Sequence, residues 1–147
     1  MTTTAQLIAI VEENPGMRLA LEQVLQVSGY DTYCFPSAEE LLATPDALEA
    51  NCFLVEIDLP GMSGVELRKQ LSALGKQTPV IFMTNDFVPA SFERHFKARF
   101  LHKPFRGHRL INAIRTLLNE EGQKTQIEHS GESELKDMGN VHQVSHY

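Results

Sequence analysis

Five short apolar runs punctuate the first 118 residues, and a helical period follows each. The runs are Gln6–Val11, Tyr30–Cys34, Cys52–Ile57, Pro79–Met83 and Arg99–His102. All are too short for buried helices, and Gln6–Val11 and Cys52–Ile57 are near-continuously apolar, as strands buried on both faces are. Asn14-Pro15 opens the first helix, with an Asn cap and Pro at the first position. Leu19, Leu21, Val24, Leu25 and Val27 supply its apolar positions, and Gly29 ends it. Ser37 with Glu40 forms a capping box for "AEELLA", which Thr44-Pro45 stops. Ser63 with Glu66 forms another, followed by Val65, Leu67, Leu71 and Leu74, and Gly75 ends that helix. Val88, Phe92 and Phe96 predict an irregular fourth helix with Pro89 in its first turn, and read as core more than as exposed anchors. Leu110, Ile111, Ile114, Leu117 and Leu118 predict the last helix.

Strand and helix thus alternate five times through short links. That pattern predicts an α/β protein with a flavodoxin-like (βα)5 fold, a doubly wound five-stranded parallel sheet of strand order 2-1-3-4-5. In such sheets the functional crevice lies at the carboxyl ends of the strands.

The pattern fades after residue 118. Residues 1–118 are expected to form one domain, and residues 119–147 a disordered acidic tail with at most a short helix around Glu132–Met138. The tail looks like no output domain, so the expectation is a complete single-domain protein. The chain has 147 residues, 42 % hydrophobic and 22 % charged, which suffices for one folded domain with a core. "MTTTAQLIAIVEE" has no basic region and too short an apolar run for a signal peptide or membrane span. Cys34 and Cys52 have no metal-binding spacing and read as small buried hydrophobes. Together these features point to the cytoplasm.

Charge is uneven. Residues 1–92 carry twelve acids against four Lys/Arg; residues 93–118 carry one acid against seven; residues 119–147 carry six against two. The basic strip comprises Arg94, Lys97, Arg99, Lys103, Arg106, Arg109 and Arg115. It reads either as solvated surface or as a face for an acidic partner, the chain's own tail included. A sequence pI near 5.5 and the lack of a recognition-helix motif argue against nucleic acid.

The strand ends carry the chemistry. Strand 1 ends in Glu12 and Glu13, strand 3 in Glu56 with Asp58 two residues on, strand 4 in Thr84, and strand 5 in Lys103. Three carboxylates, a hydroxyl and an ammonium converging on one crevice suit phosphoryl transfer: acids for Mg²⁺, a carboxylate nucleophile, and donors for phosphoryl oxygens.

Over residues 5 to about 118 the chain resembles a response-regulator receiver domain, most nearly those of regulators with a helix-turn-helix output. The matching motifs are "IVEEN", "SAEELL", "LPGMSGVEL", "PVIFMT" and "KPF". The resemblance implies that Glu12 and Glu13 are the acidic pair and Glu56 the phosphoacceptor position, where Asp is usual in both places. It implies that Thr84 is the switch hydroxyl, Phe100 the switch aromatic and Lys103 the phosphate-binding lysine, with a cis peptide before Pro104. It also implies a partner face on helix 4, strand 5 and helix 5, here Arg94, Lys97, Arg99, Arg106 and Arg109. The partner there would be a histidine kinase, another regulator or a second copy in a homodimer.

Two departures bear on function. The Thr84–Lys103 span is short, which trims helix 4. Every pocket acid is one methylene too long, which displaces a carboxylate by about 1.5 Å. A misplacement of about 1 Å can cost on the order of 10²-fold in an in-line attack. Efficient phosphorylation of Glu56 is therefore not expected, and Asp58 is a poor substitute acceptor. Glu12, Glu13 and Glu56 are the candidate Mg²⁺ ligands, but octahedral geometry weighs against them, and no cofactor is expected. Glu56 either pairs with Lys103 as an imperfect substitute for phosphate, or merely fills a degenerate site.

The leading expectation is a stand-alone, non-enzymatic, phosphorylation-independent interaction module in two-component signalling. The alternative is a working receiver that accepts phosphate from a histidine kinase. A Mg²⁺-dependent phosphatase is the weakest reading, because "EID" supplies only the second acid of the usual pair.

Overall fold

The computed structural model describes residues 4–96 and 98–130. Strands β1 (Leu7–Val11), β2 (Asp31–Phe35), β3 (Cys52–Glu56), β4 (Val80–Thr84) and β5 (Arg99–His102) form one parallel sheet, ordered β2-β1-β3-β4-β5. Between and after them run α1 (Pro15–Val27), α2 (Ala38–Leu42), α3 (Gly64–Ala73), α4 (Ala90–Phe96) and α5 (Gly107–Ser130). This is the doubly wound order that the alternating pattern predicts.

Both faces of the sheet are covered, and the strand period divides the core in two. Ile8, Ile10, Leu54, Ile81 and Met83 point to one face, where they meet Leu21 and Leu25 of α1 and Leu110, Ile114 and Leu117 of α5. Ala9, Val11, Phe53, Val55 and Phe82 point to the other, against Leu41 of α2 and Leu67 and Leu71 of α3. Side chains such as Phe53, Phe82 and Ile10 are fully buried, and each contributes about 1.5–3 kcal/mol on burial.

Helix starts follow the caps read from sequence. The Asn14 side chain accepts from Met17 N at 2.9 Å, Ser37 from Glu40 N at 3.2 Å, and Ser63 from Glu66 N at 3.1 Å. Gly29 and Gly75 close α1 and α3 in the left-handed region, at φ 94° and 81°.

Three features differ from expectation. A 3-10 turn, Pro45–Glu49, follows α2 and buries Ala47. Leu19 and Val27 lie outside the core, 53 % and 89 % exposed. At about 100° per residue, Leu19 points nearly opposite Leu21, which with Leu25 defines the inner face. Finally, α5 runs to Ser130, past residue 118, where the apolar pattern fades. Arg99 of β5 holds Glu120 at 3.0 Å, so the helix keeps a tie to the sheet beyond its last core aliphatics. The short helix considered around Glu132–Met138 lies outside the described residues.

Cys34 is half-buried and Cys52 buried, and both are free thiols. Burial, reinforced by the bond to the Glu22 carboxylate, pushes Cys34 up to about 12; burial alone pushes Cys52 up to about 12. Neither should alkylate at pH near 8 (~8) in the folded protein, and both should react once denaturant is added. Rapid labelling of native protein, counted by mass, would contradict this packing.

Candidate functional site

The parallel register brings the strand ends to one edge. Val11 lies beside Phe35 and Val55, Glu56 beside Met83, and Thr84 beside His102. Glu12, Glu56, Thr84 and Lys103 therefore emerge together at the carboxyl end of the sheet.

Glu12 and Glu56 are buried, 2 % and 4 % exposed. Two buried carboxylates need a counter-charge and hydrogen-bond donors. Lys103 Nζ supplies the charge, donating to Glu12 Oε1 at 2.6 Å and Glu56 Oε1 at 2.5 Å. Backbone amides satisfy the other oxygens: Asn14 N–H donates to Glu12 Oε2 at 3.1 Å, and Asp58 N–H to Glu56 Oε2 at 3.0 Å. Each of the four carboxylate oxygens thus has a donor. Burial opposes the Lys103 charge, but its bonds to Glu12 and Glu56 outweigh that and hold its pKa above the usual lysine range. Lys103 precedes a cis peptide to Pro104, as the resemblance implies.

Thr84 is buried, and its Oγ1 accepts from Asp86 N–H at 3.0 Å. Glu56 bonds Lys103, and Thr84 Oγ1 bonds its own loop at Asp86 N–H. Phe100 is half-buried and its ring lies 5.4 Å from that of Phe82. Its N–H donates to Glu93 Oε2 at 3.2 Å, which ties β5 to α4. Gly64 brings α3 against the end of β3. A Cβ there would lie 2.7 Å from Glu56 O and 2.9 Å from Ile57 Cα, both backbone atoms. Gly64→Ala should cost about 1–3 kcal/mol through this overpacking. A denaturation midpoint equal to that of the unsubstituted protein would show that the β3–α3 junction is looser than described.

Residues 8–138 match the response regulator receiver domain. The chain belongs to that family. It is 31 % identical over 121 residues to the response regulator protein TodT of Pseudomonas putida, covering 80 % of this chain and 53 % of TodT. It is 31 % identical over 120 residues to the transcriptional regulatory protein FixJ of Azorhizobium caulinodans, covering 80 % and 57 %. The chain thus spans about half the length of the curated relatives it matches. Among solved structures it resembles FixJ-N at 29 % identity and a TM-score of 0.69, covering 80 % of this chain and 96 % of that one. A receiver domain from Methanospirillum hungatei aligns at 25 % identity and a TM-score of 0.73, covering 82 % and 99 %.

Receiver acids are candidates for Mg²⁺, and the donor set can be tested directly. Glu13 is exposed and outside the Lys103 cluster. Glu12 and Glu56 already share an ammonium. Among the described residues no group of three His, Cys, Asp or Glu could hold a metal ion. The expected set of Glu12, Glu13 and Glu56 does not fit the ion.

The residues of the basic strip divide between exposed and paired positions. Arg94, Arg106, Arg109 and Arg115 are exposed. Arg99 is paired with Glu120, and Lys103 is in the acid pocket. Lys97 lies outside the described residues. Of the apolar residues read as helix 4 core, Phe92 is 50 % exposed and Val88 half-buried.

Several site residues escaped the sequence reading. Arg18 Nη1 donates to the carbonyls of Glu12 at 2.7 Å and Glu13 at 3.2 Å, fixing the loop that carries Glu12. The Glu39 carboxylate accepts from Met62 N–H at 3.0 Å, which binds α2 to the loop after β3 and holds the Glu39 pKa below the usual range. No periodicity or motif marks these contacts, which join side chains to backbone across loops. Among the described residues no helix is long and apolar enough to cross a membrane.

Proposed function

We propose that this receiver is an atypical one, acting as a phosphorylation-independent protein-interaction module in two-component signalling, without catalytic turnover and in the cytoplasm. One observation carries the reading: the Glu56 carboxylate is occupied on both oxygens, by Lys103 Nζ and by Asp58 N–H. A nucleophile must be free to approach the phosphorus in line, and a lysine that binds phosphoryl oxygens must be free to reach them. Here each group satisfies the other. The ion pair takes the place that an acyl-phosphate would fill, so the interaction surface is set without a phosphoryl group. The exposed Arg94, Arg106 and Arg109 suit an acidic face on a histidine kinase, another regulator or a second copy.

Incubation with acetyl phosphate, followed by intact mass, tests the reading. No phosphoryl adduct should form. A hydroxylamine-labile adduct on Glu56 would establish the alternative, a working phosphoacceptor.

A further inference from the structure

From the same pocket we infer that Lys103 is its resident cation, so that this receiver is independent of divalent metal. The inference rests on the reading above. Its physical basis is spatial and electrostatic.

A Mg²⁺ ion binds oxygens at about 2.1 Å and demands near-octahedral order. An ion on Glu12 Oε1 would lie within about 4.7 Å of Lys103 Nζ, because that nitrogen is 2.6 Å from the same oxygen. The same limit applies through Glu56 Oε1, 2.5 Å from Nζ. A dication and an ammonium would then face each other at that distance in a pocket whose carboxylates are 2 % and 4 % exposed, with little water to screen them. The outer oxygens each accept an amide, Asn14 N–H on Glu12 Oε2 and Asp58 N–H on Glu56 Oε2, which keeps both inner oxygens turned to Lys103. Glu13 is exposed, and no group of three His, Cys, Asp or Glu among the described residues could hold a metal ion.

One ammonium bridges both carboxylates, Glu12 Oε1 at 2.6 Å and Glu56 Oε1 at 2.5 Å. The pocket is left with two carboxylates and one ammonium, a net negative charge. Taking away the lysine charge should therefore expose a latent divalent site that the wild-type side chain suppresses.

Mn²⁺ is the probe, titrated by electron paramagnetic resonance against wild type, Glu12→Gln, Lys103→Met and Lys103→Met/Glu56→Gln. Wild type and Glu12→Gln should give superimposable curves up to about 1 mM, showing only exposed acids. Lys103→Met should bind at least about tenfold more tightly, and Glu56→Gln should remove the gain. The inference is overturned if Glu12→Gln weakens wild-type binding, or if a folded Lys103→Met binds no better than wild type. Should Lys103→Met fail to fold, the comparison of wild type with Glu12→Gln still decides. The two readings fail separately. Pocket-bound Mn²⁺ on a protein that acetyl phosphate leaves unlabelled would overturn metal independence alone. Metal-free labelling of Glu56 would overturn the proposed function alone.

Discussion

Lys103→Met is expected to destabilise the fold by about 3–5 kcal/mol, read as a lower denaturation midpoint at unchanged m-value. The size follows from what the substitution leaves behind. Glu12 and Glu56 are buried, and Lys103 Nζ is the cation bonded to both. Methionine fills the stem volume but offers no charge, so two carboxylates face each other at the end of the sheet. Double-mutant logic separates that penalty from the intrinsic worth of the pair. Glu12→Gln/Glu56→Gln/Lys103→Met should recover most of the loss, because amides need no counter-charge. The raised Lys103 pKa sets the pH window. Its stabilising contribution is complete below the unfolded lysine value of about 10.4 and is lost as pH rises through the higher folded value. The gap between wild type and Lys103→Met should therefore stay constant through neutral pH and narrow only in strong alkali. A loss below about 1 kcal/mol at neutral pH would mean that water, not Lys103, solvates the two acids.

The fold was legible because local signals agreed with one another. The Ser37 and Ser63 caps, the glycines at 29 and 75, and the short apolar runs each fixed one boundary, and together they allowed one architecture. Legibility failed where a residue's environment is set by something distant in sequence. Leu19 and Val27 count as apolar in a window, yet only the packing of Leu21 and Leu25 decides which side of α1 is inner. The aliphatic period stops near Leu118, whereas α5 runs to Ser130, and the Arg99–Glu120 bond that ties it to the sheet joins residues 21 apart. In the site, Glu12, Glu56, Thr84 and Lys103 were readable from strand-end position. The turning of the Thr84 hydroxyl towards Asp86 N–H was not, because the rotamer at a strand end leaves no trace in composition or spacing. Arg18 was invisible for the same reason: its partners are carbonyls, which every residue has.

Glu56→Asp should raise labelling by acetyl phosphate by about 10²-fold over wild type, measured as the initial rate of phosphoryl adduct formation by intact mass. Shortening the side chain withdraws the carboxylate by about 1.5 Å from where it now meets Lys103 and Asp58 N–H. With Glu56 Oε1 only 2.5 Å from Nζ, a retreat of that size breaks the direct contact. It frees an oxygen for attack and the ammonium for an incoming phosphoryl oxygen, while Glu12 Oε1, at 2.6 Å, still anchors the lysine. The backbone at the β3 end, where Gly64 packs against Glu56 O and Ile57 Cα, is untouched by the change. The gain should depend on Lys103: in Glu56→Asp/Lys103→Ala it should vanish, because the shortened acid alone lacks a cation to receive the phosphoryl group. Failure of a folded Glu56→Asp to label faster would place the defect beyond this one side chain. The equally elongated Glu12, still holding Lys103, would then be the group that keeps the pocket closed.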